Sequence, residues 1–141
     1  MSKRFSNMLL CCIALLVGCT LYILLRPTTH IGELFDKFTL ITNLRNALAL
    51  YPCDFLKYYL PDFLWGFSLC CGLIAIFEPK TKGLIGCAIV AFICGASWET
   101  LQFYNITTGV GDYKDIVMYL LAVIISVTIN IKRGYYNEKN N

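Results

Sequence analysis

The sequence predicts an all-α integral membrane protein, a bundle of four transmembrane helices, and three observations carry that prediction. First, its 141 residues are 57% apolar and only 15% charged, where soluble domains run at roughly 25% charged. Second, the apolar residues lie in blocks: Met8–Leu25, Phe63–Phe77, Gly83–Trp98 and Ile116–Ile131 contain no charged side chain. Third, each block with its flanks reaches the roughly 20 helical residues that cross a ~30 Å hydrocarbon core. A soluble chain this short cannot bury four helices that are apolar all round, because too little surface would remain polar. Residues 1–141 therefore read as one transmembrane domain, with spans expected at Phe5–Leu25, Pro61–Phe77, Gly83–Phe103 and Tyr113–Ile131.

In the first block, Leu16-Val17-Gly18-Cys19 has the form of a lipobox, with Lys3 and Arg4 as the basic leader. The apolar run continues past Cys19 to Leu25, where a mature lipoprotein turns polar, so a retained helix and an unlipidated Cys19 are expected. Arg26-Pro27 closes the span: the arginine can snorkel to the interface, and proline cannot continue the hydrogen-bond ladder. In the long loop that follows, Ile31, Leu34, Phe35 and Phe38 fall at i, i+3, i+4 and i+7. That spacing predicts a short amphipathic helix on the membrane surface or across the end of the bundle. Phe55-Leu56-Lys57-Tyr58-Tyr59 reads as an interfacial aromatic belt.

Pro61 suits the first turn of the second span, and Asp62 there complements the helix dipole. Glu78-Pro79-Lys80-Thr81-Lys82 is a tight turn. Gly83, Gly86, Ala88, Ala91, Gly95 and Ala96 should let the third helix approach a neighbour closely. Gly109-Val110-Gly111 is a flexible connection, Asp112 or Tyr113 opens the fourth span, and Lys132-Arg133 ends it.

The net charge of +3 is unevenly distributed. Lys3, Arg4, Lys80, Lys82, Lys132, Arg133 and Lys139 flank one side, against Glu78 and Glu138. The other side carries five basic and seven acidic residues. Short basic flanks belong in the cytoplasm, so both termini are expected inside. The C-terminal tail is too short and mixed to be a nucleic-acid footprint, and no nucleic-acid partner is expected. Seven of the eight cysteines, Cys53 excepted, sit inside apolar blocks, where a thiol acts as a small hydrophobe. There is no C-x-x-C, and His30 is the sole histidine, so neither a metal site nor a cofactor is expected.

The chemistry-bearing stretch is Trp98-Glu99-Thr100-Leu101-Gln102, followed by Gly111-Asp112-Tyr113-Lys114-Asp115. Glu99 lies 17 residues beyond Lys82, roughly 25 Å of helix rise, inside or at the edge of the hydrocarbon. A carboxylate there costs a few kcal/mol on insertion scales and turns inward to a partner. Gln102 shares its face at i+3; on the next helix Asp112 and Asp115 are three apart, with Tyr119 one turn further. Asp112 with Asp115 also reads as a helix N-cap with an acid in the third position, and Glu99 as an interhelical hydrogen bond that fixes the bundle. The ligand-binding candidates are thus Glu99, Gln102, Asp112, Asp115 and Tyr119.

Glu99-x-x-Gln102-Phe103, then Gly109-x-x-Asp112-x-x-Asp115-Ile116-Val117, resembles the signature of the VanZ-like membrane proteins over about the C-terminal third of the chain. That family is associated with glycopeptide (teicoplanin) resistance and has no established biochemical activity. The resemblance implies a multi-pass protein of the bacterial cytoplasmic membrane, with Glu99, Gln102, Asp112 and Asp115 as the family's polar positions. The family's Asn four residues after the second Asp is Tyr119 here, and its Pro-x-Gly element is matched only in part by Leu60–Gly66. Four functions stay open. The chain could bind membrane lipids, a lipid-linked envelope precursor or a glycopeptide through the acidic cluster. It could be an intramembrane enzyme with Glu99 and Asp115 as acid and base, a proton-coupled transporter subunit, or a non-catalytic scaffold.

Overall fold

Ser2 starts the first helix, its hydroxyl accepting the Phe5 N–H at 3.2 Å in an N-cap. The computed structural model describes residues 2–26, 34–35, 37–49, 53–107 and 109–139, with residues 49 and 134–139 described by backbone alone. Its helices are α1 (Lys3–Leu25), α2 (Thr39–Ala49), α3 (Leu60–Phe77), α4 (Thr81–Phe103) and α5 (Tyr113–Lys139). A π-helical turn, Phe55–Tyr59, runs directly into α3. Four segments are long and apolar enough to cross a membrane: Lys3–Leu25, Phe55–Phe77, Thr81–Phe103 and Tyr113–Arg133. The chain is accordingly a multi-pass helical membrane protein.

The amphipathic helix expected over Ile31–Phe38 falls largely outside the described residues. What is described is α2, which begins just after Phe38 and is too short to span. The second span begins upstream of Pro61 because the π turn carries the helix back to Phe55. Pro61 has no N–H to offer the carbonyl four residues earlier, that of Lys57. Arg26 supplies that donor, its Nε donating to Lys57 O at 3.1 Å, and its Nη2 donates to Tyr58 O at 3.0 Å as well. The residue expected only to snorkel therefore fastens the end of α1 to the start of α3.

Helix α3 is the centre of the bundle, packed on α1, α4 and α5, while α4 and α5 also pack on each other. Many of the buried side chains are small. Cys70, Ile74, Leu84, Cys87, Ala91 and Val123 form one cluster, and Ala14, Phe67, Cys71 and Ala122 another. Lipid tails are as apolar as these side chains, so close backbone approach and interhelical hydrogen bonds hold such helices together. Of the small residues expected to seat α4, Ala91 and Gly95 lie in the packed face, and Ala88 packs against the core beside them. Gly86 is exposed and meets nothing, because it falls off the stripe Leu84, Cys87, Ala91, Gly95, Glu99 that turns inward.

At the end holding both termini, the Asn7 and Asn130 side chains, both fully buried, exchange hydrogen bonds of 2.8 and 3.1 Å. This amide pair sets α1 against α5. Replacing Asn7 alone by Leu leaves the Asn130 amide short of a partner and should cost about 1–2 kcal/mol. The Asn7→Leu/Asn130→Leu double variant should recover much of that loss. Unfolding in mixed micelles checks this, and equal stability of the single variant and the parent would refute it.

Candidate functional site

At the opposite end of the bundle, polar side chains from all four spans meet. Helix α4 contributes Glu99, the last member of its buried stripe, only 2% exposed. The helix then stops in a Schellman motif. Asn105 takes a left-handed φ of 53°, its N–H donates to Gln102 O, and the Ile106 N–H donates to Leu101 O, both at 2.9 Å. The chain folds back so tightly that a Cβ on Gly111 would lie 2.7 Å from the Phe103 nitrogen. Glycine is required there. This hairpin delivers the Asp112 N–H to Glu99 Oε2 at 3.3 Å.

Gln102 joins the same carboxylate. With its amide oriented to suit both neighbours, its nitrogen donates to Glu99 Oε2 at 3.3 Å and its oxygen accepts the Trp98 indole N–H at 3.0 Å. The Asp112 side chain caps α5, its Oδ1 accepting the Lys114 N–H at 2.9 Å. Asp112 therefore works twice, as cap through its side chain and as donor to Glu99 through its backbone. The Lys114 ammonium donates to the Tyr59 hydroxyl at 3.1 Å, tying α5 to the π turn.

Tyr119 is buried, and two glycines make room for it. A Cβ on Gly95 would lie 2.5 Å from the ring Cγ, and one on Gly66 would lie 2.9 Å from Cδ1. Gly95 is one turn below Glu99 on α4, and Gly66 one turn inward of Asp62 on α3. Held in this slot, the Tyr119 hydroxyl donates to Asp62 Oδ1 at 3.2 Å. The other oxygen of Asp62 pairs with Arg26 Nη2 at 3.5 Å. Arg26 also stacks near the rings of Tyr22 and Tyr58, at 5.3 and 5.9 Å from their centroids.

The structure thus brings Glu99, Gln102 and the Asp112 backbone into direct contact, and links Tyr119 to Asp62. Asp115 is near enough for Asp62, Glu99, Asp112 and Arg26 all to act on its charge. Its Oδ1 is buried without a hydrogen-bond partner, as is Asp62 Oδ2 apart from the Arg26 ion pair. Sequence reasoning missed Asp62 and Arg26 as members of the site. The available signal was a carboxylate opening one apolar block and a guanidinium closing another, each explained singly by interface chemistry.

Among the described residues, no group of three His, Cys, Asp or Glu side chains is arranged to hold a metal ion. An open apolar groove of about 360 Å³ on α4, lined by Phe92, Ile93, Ala96, Ser97, Thr100 and Leu101, includes no carboxylate. Fold and site together define a polytopic helical membrane protein with a polar network at one end, built from all four spans. Compared with known proteins, the chain matches no family model, no curated protein and no solved structure.

Proposed function

We propose that this chain is a VanZ-like protein of the bacterial cell envelope that binds a lipid-linked or glycopeptide-related molecule at the four-helix polar site. In this reading both termini are cytoplasmic, consistent with the basic flanks, and the site faces the outer leaflet. The observation that carries the reading is the buried, unpaired Asp115 Oδ1 beside Glu99 and Asp62. A carboxylate oxygen held from water without a donor costs roughly 1–3 kcal/mol or more. A ligand rich in N–H and O–H donors, such as a sugar or a peptide amide, would satisfy it once the half-buried Asp115 side chain turns outward.

The test is tolerance of cells to teicoplanin. The parent chain should raise it, and Asp115→Asn and Glu99→Gln should abolish most of the gain at equal membrane levels. Loss of a charge-assisted hydrogen bond is worth about 1.5–3 kcal/mol, or roughly tenfold or more in affinity. Glu99→Leu should leave the isolated bundle as stable as the parent or more so if Glu99 serves a ligand, and destabilise it if Glu99 serves only packing. Full tolerance in both carboxylate variants would sink the proposal, as would no gain from the parent chain.

A further inference from the structure

Helix α2 presents three different sides, and each has a different chemistry. At 100° per residue, Ile41, Thr42 and Arg45 share one side, Leu40, Leu44 and Leu48 a second, and Thr39, Asn43 and Asn46 a third. The first side is docked. Arg45 is buried, and its Nε and Nη2 both donate to the carbonyl of Ile23, at 3.1 and 2.7 Å. Ile23 lies in the last turn of α1, where carbonyls have no partner within the helix and a cation complements the dipole. The second side is bare: Leu40, Leu44 and Leu48 are 73%, 44% and 38% exposed. The third side is exposed and polar. The three directions are roughly 120° apart on the wheel.

A helix lying beside a membrane bundle needs this division, with one side to protein, one to acyl chains and one to water. The Arg45 anchor sets the height. It holds α2 at the last turn of a span, so the exposed leucine stripe lies at the level of the hydrocarbon edge. Eleven residues are about 16 Å of helix, too short to cross but sufficient to lie in the interface. Apart from the docked Arg45 the helix bears no charge, so nothing on it resists partial burial.

We propose that α2 is an interfacial helix whose Leu40–Leu44–Leu48 stripe is seated in the acyl-chain boundary of one leaflet and fixes the depth of the adjoining bundle end. The inference depends on the four spans and not on what the polar site binds. Its test uses the full chain in phosphatidylcholine vesicles. Tryptophan is placed at Leu40, Leu44 or Asn43, and the fluorescence of Trp65 and Trp98 in the parent is subtracted. Lipids brominated high on their acyl chains should quench Leu40→Trp and Leu44→Trp at least roughly twofold more than Asn43→Trp, with aqueous acrylamide showing the reverse order. Equal acrylamide quenching at all three positions would place the stripe in water and overturn the proposal. Quenching of the leucine positions by neither agent would mean that protein, including a second copy, covers it, and would overturn it equally. Photoactivatable phosphatidylcholine on the unsubstituted chain gives a second reading without any mutation. Adducts should map to Leu40–Leu48 as well as to the spans, and labelling of the spans alone would refute the assignment.

Discussion

Arg26→Leu is expected to destabilise the bundle by about 2–4 kcal/mol, among the largest effects of any single substitution, because it breaks a mostly buried ion pair from one side. Asp62 would lose its counter-ion while keeping the Tyr119 hydroxyl as a donor. The Lys57 and Tyr58 carbonyls at the π turn would lose their donors as well. Two outcomes separate these causes. Arg26→Leu/Asp62→Leu should recover more than half the loss, since an apolar pair replaces an ion pair at little cost. Arg26→Lys should recover less, because a point-charge ammonium cannot reach two carbonyls and a carboxylate as a planar fork does. Unfolding in mixed micelles measures all three. If the double variant is no more stable than Arg26→Leu, the ion pair is not the source of the effect.

Gly95→Ala should cost about 1–3 kcal/mol by overpacking, and should disorder the site as well. The new methyl would lie 2.5–2.8 Å from three atoms at the base of the Tyr119 ring, which cannot swing away without moving the α5 backbone. On its other side the ring already packs close to Gly66. Tyr119→Ala should therefore be much less damaging in the Gly95→Ala background than in the parent, a non-additivity that a double-mutant cycle reads directly. Additive effects would show that the two residues do not share this space.

The four spans were legible because hydrocarbon demands runs that are apolar on every side, a pattern that a soluble helix lacks. Glu99 was legible as an inward-facing residue for a related reason: a carboxylate far along such a run cannot face lipid. Asp62 and Arg26 were not, because at the ends of runs each has a sufficient local explanation, and only the packing of α1 on α3 brings them together. The π turn was hidden for a similar reason, since Pro61 is as acceptable at a helix start as after a π turn. Gly86 and Gly95 look alike in the sequence. What separates them is the inward stripe ending in Glu99, which turns Gly95 toward Tyr119 and Gly86 toward nothing.

Two of the fastenings of helix α5 lie at different heights and reach two different neighbours. Tyr119 holds it to α3 through Asp62, and Asn130 holds it to α1 through Asn7, 11 residues and roughly 16 Å further along. A rod pinned at two heights along one side has lost sliding along its axis and tilting away from its neighbours, because either motion lengthens at least one fastening. A small roll about the line that joins the two pins is the motion that strains them least. A change in the surroundings of Asp115 would therefore turn α5 slightly about that line rather than slide it along its neighbours or hinge it at one end.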